Sequence, residues 1–447
     1  MKHKLDRRQF ISDFSLAGLS IAVGFPHVVH SSSTNVKPAL LGGPKAHPDT
    51  FPSWPITAEM EKTELLDVLQ SKTWGRLNGK AVGRFESEYK AITGSKHCLG
   101  VSSGTNALYT ALGAMDIGPG DEVVIPVYTF VATYNVVVLN YALPILVDTD
   151  IETFQIDATK IESSITPRSK LIVPVHIGGS PADLDTILKI GKEHGIPILE
   201  DACQAHMAEW RGKKVGTLGL AGAFSFQSSK NLNCGEGGAL LTDDEHFAER
   251  CYNFHNQGRQ AANTNDPFTP TRASNLRMTE FQGSILLAQM ARLTDQTRRR
   301  SENAAYLTKL LSEIPGIYPA RLYEGVTESA YHLYMFRYDK EAFEHLDRAK
   351  FMEALRAEGI PCSGGYNAMN KEKYVTDLSK NKHYLNIYGE KTMQDWLEKN
   401  HCPQNDQLCE QAVWLTQTML LGSKKEMEQI AEAILKIKRY ARDLIKA

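Results

Sequence analysis

Within 447 residues, one stretch concentrates groups able to do chemistry: Phe224-Ser-Phe-Gln-Ser-Ser-Lys230-Asn-Leu-Asn-Cys-Gly-Glu-Gly-Gly238. A lysine follows a strand-like apolar run and precedes a glycine cluster, with hydroxyls at Ser225, Ser228 and Ser229. A lysine amine forms a Schiff base with an aldehyde, and pyridoxal phosphate is the cofactor built around that reaction. Hydroxyls and free backbone amides in such a turn suit its phosphate. The same stretch also fits a surface lysine in a glycine-rich turn, so the choice rests on residues upstream.

Upstream, Ser102-Ser-Gly-Thr105 lies between a short strand, Cys98–Val101, and a helix, Asn106–Met115. Strand, small-residue turn and helix aim free amides and a positive helix end at an anion, which makes Gly104 and Thr105 phosphate candidates. An N-cap by Ser103 or Thr105 alone would leave the same pattern. A further strand, Ile196–Leu199, runs into Glu200-Asp201-Ala-Cys-Gln204-Ala-His206. Pyridoxal phosphate withdraws electrons when its ring nitrogen stays protonated, and a buried carboxylate holds that proton. Asp201 is the candidate; strand alternation sends Glu200 to the opposite face. Phe130 is placed to stack on a cofactor ring, and Gln204 to hydrogen-bond its phenolic oxygen. Cys203 and His206 read as packing and structure.

The elements that must position these residues follow an α/β pattern from about residue 55. Helices are expected over Ala58–Ser71 and Gly83–Thr93. A βαβ unit follows in strand Glu122–Val127, helix Val131–Tyr141 and strand Pro144–Val147, then another in strand Leu171–Ile177, helix Pro181–His194 and strand Ile196–Leu199. In open parallel sheets ligands sit beyond the carboxyl ends of the strands. Thr105, Phe130, Asp201 and Lys230 all fall just after predicted strands, so they can converge on one rim.

The set Ser102-Ser-Gly-Thr-Asn-Ala-Leu108, Pro126-Val-Tyr-Thr-Phe-Val-Ala132, Glu200-Asp-Ala-Cys-Gln-Ala-His206 and Ser225-Phe-Gln-Ser-Ser-Lys230 resembles the DegT/StrS-type sugar aminotransferases. The likeness continues in Gly235-Glu-Gly-Gly238 and Asn275-Leu-Arg-Met-Thr-Glu-Phe-Gln282, and spans about residues 50 to 440. It implies fold type I of the pyridoxal phosphate enzymes, aspartate aminotransferase-like. That fold has a large, mostly parallel-sheet α/β/α domain and a smaller α+β C-terminal domain. Lys230 would be the Schiff-base lysine and proton shuttle, and Asp201 the partner of the pyridinium. Gln204 would contact the phenolic oxygen, Phe130 would stack, and Gly104, Thr105 and Ser225 would cradle phosphate. Asn275 matches an asparagine that reaches the phosphate from a neighbouring subunit, so a homodimer with a shared active site is implied. Two departures stand out. Met207 occupies a position where many relatives have glycine, which would reshape the pocket wall. Gly364-Gly-Tyr366 replaces a common His-Tyr pair, which would alter acceptor binding.

After Lys230, Gly238–Thr242 reads as a strand, 253–273 as a long polar loop over the site, and Arg277–Arg300 as a helix. A strand over Ala330–Tyr338, a helix over Arg348–Glu358 capped by Gly359, a polar aromatic loop over Ser363–Met369 and an amphipathic helix over Lys424–Ile445 complete the chain. His332 and Tyr366 are the substrate-side candidates. The domain reading is a signal over 1–30, a linker over 31–50, a large cofactor-binding domain over 51–305 and a small domain over 306–447.

The amino terminus places Arg7-Arg8 ahead of the apolar run Phe14–Phe25, which resembles a twin-arginine export signal and is too short to span a bilayer. Export to the periplasm is the expectation, with the cytoplasm otherwise. A net charge of −2 offers no general attraction for nucleic acid or anionic membranes. Seven cysteines without a CxxC pair exclude a zinc ribbon, and no metal site is expected. An oxidising compartment would allow Cys402 and Cys409 to pair. The leading reading is an aminotransferase that moves an amino group from glutamine, glutamate or alanine to a keto sugar or keto-cyclitol, with ping-pong kinetics through Lys230. The alternatives are other lysine-dependent chemistry such as an epimerase, or a non-catalytic exported sugar-binding or regulatory protein on the same fold. A lysine at 230 argues against the dehydratase branch, where a histidine stands there.

Overall fold

A computed structural model describes residues 36–260 and 269–447. The expected export signal therefore lies outside the described residues, as does the middle of the stretch read as a loop over 253–273. Lys37–Ala447 forms one compact unit.

The central sheet is assembled from strands whose residues are buried on both faces, as in parallel sheets covered by helices. Strands β1 (His97–Val101), β2 (Glu122–Pro126), β3 (Leu143–Val147) and β4 (Ser169–Ile172) precede β5 (Leu199–Asp201), β6 (Ala221–Ser225) and β7 (Gly238–Thr242). Two ladders are present, β1-β7-β6-β5 and β3-β2-β4. Parallel bridges Ile172–Ile198 and Val175–Asp201 join them into one sheet. The strand β7 runs antiparallel to both its neighbours, so the sheet is mixed.

Alternation sorts each strand between two layers of helices. Val123, Ile125 and Leu240 share one core with Leu108, Val137 and Phe247. On the other face, Ala239, Leu241 and Phe224 pack with Phe85, Leu286 and Leu287, while Val124, Ile172 and Ile198 pack with Ile187 and Ile190. The result is the expected α/β/α sandwich. A smaller antiparallel sheet, Ile317–Pro319, Leu333–Tyr338 and Ala412–Thr416, carries a third core with Phe351, Ile430 and Ile434.

Several boundaries move for identifiable reasons. The strand expected over Leu171–Ile177 leaves its ladder after Ile172, and the one expected over Ile196–Leu199 begins its ladder at Leu199. Pro174 and Pro197 lack the N–H a ladder needs, yet their carbonyls still accept from Asp201 and Ile172. The first part of the 253–273 loop is helical, because α6 extends over Glu245–His255. The helix expected at Arg277 starts at Glu280, where Thr279 and Gln282 form a capping box, and it runs to Ser312. This single helix of 33 residues crosses position 305. Core membership does not follow chain position either: Met369, Tyr384 and Trp396 pack with the large sheet, and Ala46 with the small one. The terminal helix breaks at Tyr440. Cys402 and Cys409 are both free. They sit at the cap and in the body of helix Pro403–Gln411, and seven residues of rise separate them by about 10 Å, too far for a disulfide.

Candidate active site

The carboxyl ends of β1, β5 and β6 open onto one cavity of about 500 Å³. Gly104, Thr105, Phe130, Asp201, Gln204, Ser225, Lys230, His332 and Tyr366 all line it. Of the sequence-derived site residues, Asn275 alone lies off it. Asn275 is exposed in the extended segment before the long helix, where it bridges to Asn256.

The anion end is built by α3 (Gly104–Ala114). Ser103 is extended and its side chain accepts from Asn106 N–H, while its carbonyl accepts from Ala107. The amides of Gly104 and Thr105, first in the helix, have no partner among the described residues. Glycine is required at 104 by proximity: a Cβ there would lie 2.6 Å from Ser225 Cβ and 2.9 Å from Cys203 Sγ. The helix end and the ends of β5 and β6 thus meet as closely as backbones allow.

On the same cavity, Asp201 is 5% exposed. Its Oδ2 accepts from the Thr133 hydroxyl at 2.8 Å and its Oδ1 from Cys203 N–H at 3.2 Å. Thr133 is within 2.9 Å of the Thr129 hydroxyl. Neither threonine was singled out in the sequence, although Thr133 lies one helical turn after Phe130, on the cavity side of α4 (Val131–Leu139). Glu200 takes the other face, as alternation requires. It accepts from the amides of Gly216, Leu218 and Gly219 and pairs with His176, tying the β5–β6 connection together.

Lys230 lines the same cavity, half-buried along its chain. Desolvation lowers its ammonium pKa, while Cys203 and Asp201 oppose the shift. His206 is structural. Its Nε2 faces the Ser225 carbonyl at 2.8 Å, which can only accept, so Nε2 carries the proton and Nδ1 accepts from Tyr89 O–H at 3.1 Å. Burial lowers its pKa to about 3.

The remaining wall is aromatic. Tyr366 packs edge-on to Trp414 at 4.7 Å and to Tyr128 at 5.4 Å. Gln204 is oriented by Gly178 N–H, which donates to its Oε1, and its Nε2 donates to the Tyr366 hydroxyl at 3.2 Å. One amide hydrogen of Gln204 is left for a cofactor oxygen. Phe130 caps α4 and is 56% exposed at the cavity rim. Gly365 has φ +78°, and a Cβ there would come within 2.6 Å of the Tyr128 hydroxyl and 3.0 Å of Trp414. Gly365 thus lets this loop settle on the aromatic floor. Met207 is different from expectation: it does not line the cavity and packs beside the core under the sheet. The glycine preference there is conformational, since Met207 holds φ +68°.

The cavity's lining fits pyridoxal phosphate: free helix-end amides for a phosphate, a buried carboxylate for a ring nitrogen, and an amine of lowered pKa on the same cavity. Sheet order and site together define the fold-type I transferase architecture. A family model of the DegT/DnrJ/EryC1/StrS aminotransferases matches residues 55–435, and the chain belongs to that family. It is 33% identical to 3-amino-5-hydroxybenzoate synthase of Amycolatopsis mediterranei, covering 86% of this chain and 96% of that one. It is 34% identical to L-glutamine:2-deoxy-scyllo-inosose aminotransferase of Streptomyces paromomycinus, over 90% and 97% of the two chains. The crystal structure of 3-amino-5-hydroxybenzoic acid synthase superposes with a TM-score of 0.76 at 32% identity, covering 89% and 99%. The chain is an aminotransferase.

Proposed function

We propose that this chain binds pyridoxal phosphate and transfers the amino group of glutamine to a keto-cyclitol or a related keto sugar. The observation that carries the reading is the convergence of Lys230, Asp201 and the Gly104–Thr105 amides on one cavity. The names of the relatives, which pair L-glutamine with scyllo-inosose ketones, support the donor and the acceptor class.

Bound pyridoxal phosphate would supply an aldehyde that captures amino groups and a ring that stores electrons. The chain's own residues do the rest. Gly104, Thr105 and Ser225 would hold the phosphate. Asp201, oriented by Thr133 and Cys203 N–H, would keep the ring nitrogen protonated. Lys230, its ammonium destabilised by burial, would take the donor's α-proton and later return a proton to the acceptor carbon. Tyr366 and His332 would bind the acceptor, with Phe130 covering the cavity mouth.

The test is an absorbance spectrum of protein lacking residues 1–30, before and after glutamine, glutamate or alanine. Conversion of the bound chromophore by one donor, and its restoration by a polyhydroxy ketone, is the expected result. A chromophore that no donor alters would favour epimerase or binding readings. Absence of a chromophore in both the parent and Lys230→Ala, even with added cofactor, would remove the assignment.

The chain is further proposed to act as a homodimer in which Asn275 of each copy serves the other's phosphate site. Its exposure outside its own cavity supports that role. Sedimentation of a monomer with full cofactor affinity would refute it. Export by the twin-arginine route rests on Arg7-Arg8 and the run that follows. Cell fractionation checks it, and full-length protein confined to the cytosol would end it.

A further inference from the structure

The residue after the lysine, Asn231, is almost fully enclosed. Its Nδ2 lies 2.7 Å from the Ala330 carbonyl oxygen. A carbonyl only accepts, so the amide cannot be turned the other way. The Asn231 Oδ1 therefore faces His332 Nδ1, at 3.3 Å. An amide oxygen also only accepts, so His332 Nδ1 must carry the proton. The second ring nitrogen, Nε2, has no partner among the described residues, and His332 lines the cavity. Burial, with the Lys230 and Arg300 charges adding to it, holds the imidazolium pKa well below its ordinary value, so the ring stays neutral.

The backbone that carries this pair is held independently. Ala330 N–H and the Ser329 hydroxyl both donate to the Gly179 carbonyl, at 2.9 and 3.2 Å. Gly179 has φ +88°, and a Cβ there would lie 2.9 Å from His332 N and 2.7 Å from the Gln204 carbonyl. Glycine is needed for this close approach, which brings the segment bearing His332 against the one bearing Gln204.

We propose that Asn231 is a positioning residue that locks His332 as the Nδ1–H tautomer, and that the bare Nε2 is a specificity determinant accepting a hydroxyl proton from a polyhydroxylated ketone. On the same cavity, Tyr366 O accepts from Gln204, which leaves its own O–H to donate. The wall then offers one fixed acceptor and one fixed donor. A ring bearing several hydroxyls satisfies both, since each hydroxyl donates and accepts. An acceptor without a hydroxyl to give would leave Nε2 desolvated and unpaired, which disfavours it. The identity of the ligand rests on the proposed aminotransfer; the tautomer does not.

The experiment has two arms. Nitrogen-15 NMR of the histidine-labelled, full-length protein reads the tautomer directly, whatever the reaction turns out to be. The expected signal for His332 is protonated Nδ1 and bare Nε2, and Asn231→Ala is expected to mix the tautomers. An Nε2–H tautomer in the parent protein would overturn the lock. Kinetics form the second arm. His332→Phe is expected to raise KM for a polyhydroxy ketone such as scyllo-inosose about tenfold, the worth of one hydrogen bond, with kcat changed less. His332→Gln, which restores an acceptor oxygen, is expected to recover much of that loss. Equal KM values for the phenylalanine and parent proteins, or loss confined to kcat, would overturn the acceptor role. Should Asn231→Ala fail to fold, the histidine pair and the parent spectrum still decide both claims.

Discussion

Replacing Gly104 with alanine tests how the cofactor end is built. The added carbon would lie 2.6 Å from Ser225 Cβ, 2.9 Å from Cys203 Sγ and 3.1 Å from Ser225 Cα. Carbon atoms rest at about 3.5–4.0 Å, so the helix end must retreat by roughly 1 Å. Cys203 Sγ can rotate aside, but Ser225 Cβ and Cα belong to the end of β6 and cannot. Overpacking of this kind costs about 1–3 kcal/mol, offset by at most about 1 kcal/mol from the better helix propensity of alanine. A net loss of up to about 3 kcal/mol follows. The functional loss is larger. A retreat of 1 Å carries both free amides beyond hydrogen-bonding distance of a phosphate, and each charged bond is worth about 1.5–3 kcal/mol. Cofactor affinity should fall at least about tenfold. Gly83, exposed in helix Ala81–Thr93 with nothing within 4 Å of a new Cβ, is the internal control. Its alanine variant should gain about 0.5–1 kcal/mol and keep cofactor affinity. Urea denaturation and cofactor titration by absorbance measure both. Parental cofactor affinity in Gly104→Ala, or a stability gain there like that at Gly83, would refute the reasoning.

Glu200→Ala should destabilise the protein by about 3–5 kcal/mol in denaturant titrations, because His176 and the amides of Gly216, Leu218 and Gly219 lose their shared buried acceptor. Tyr89→Phe should cost about 1–2 kcal/mol by the same measurement, since it strips the donor from His206 Nδ1. His206 also predicts acid sensitivity. Its folded pKa of about 3 lies below the ordinary 6.5. Between those values the unfolded ring binds a proton that the folded ring refuses, so its contribution is intact above 6.5 and shrinks as pH falls. His206→Gln should lower the slope of stability against pH in that window by up to about 1.4 kcal/mol per unit. An unchanged slope would mean that the buried ring protonates.

What was legible in the sequence was legible through short-range rules. Ser103 and Asp201 sit where a cap and a strand end put them, and alternation alone separated Glu200 from Asp201. Convergence of Thr105, Phe130, Asp201 and Lys230 followed from one topological rule about where open sheets bind ligands. Thr133 escaped notice because a threonine in an apolar helix carries no mark until the carboxylate it serves, 68 residues away, is brought beside it. Asn231 escaped for the same reason: adjacent to the lysine, it matters only because Ala330 and His332, about a hundred residues on, fold against it. The reading of Met207 as pocket wall went astray because a glycine preference can report a backbone angle as easily as a cavity.

The sequence by itself determined the fold class, the layering and the family, because cap chemistry, strand period and motif order are local properties. Only the tertiary structure decided the hydrogen-bond polarity of the site. Which nitrogen of His332 is bare, which way Gln204 and Asn231 turn, and why 104, 179 and 365 must be glycine depend on atoms that approach within about 3 Å across long stretches of chain. Close packing sets those distances, and no short-range pattern encodes them.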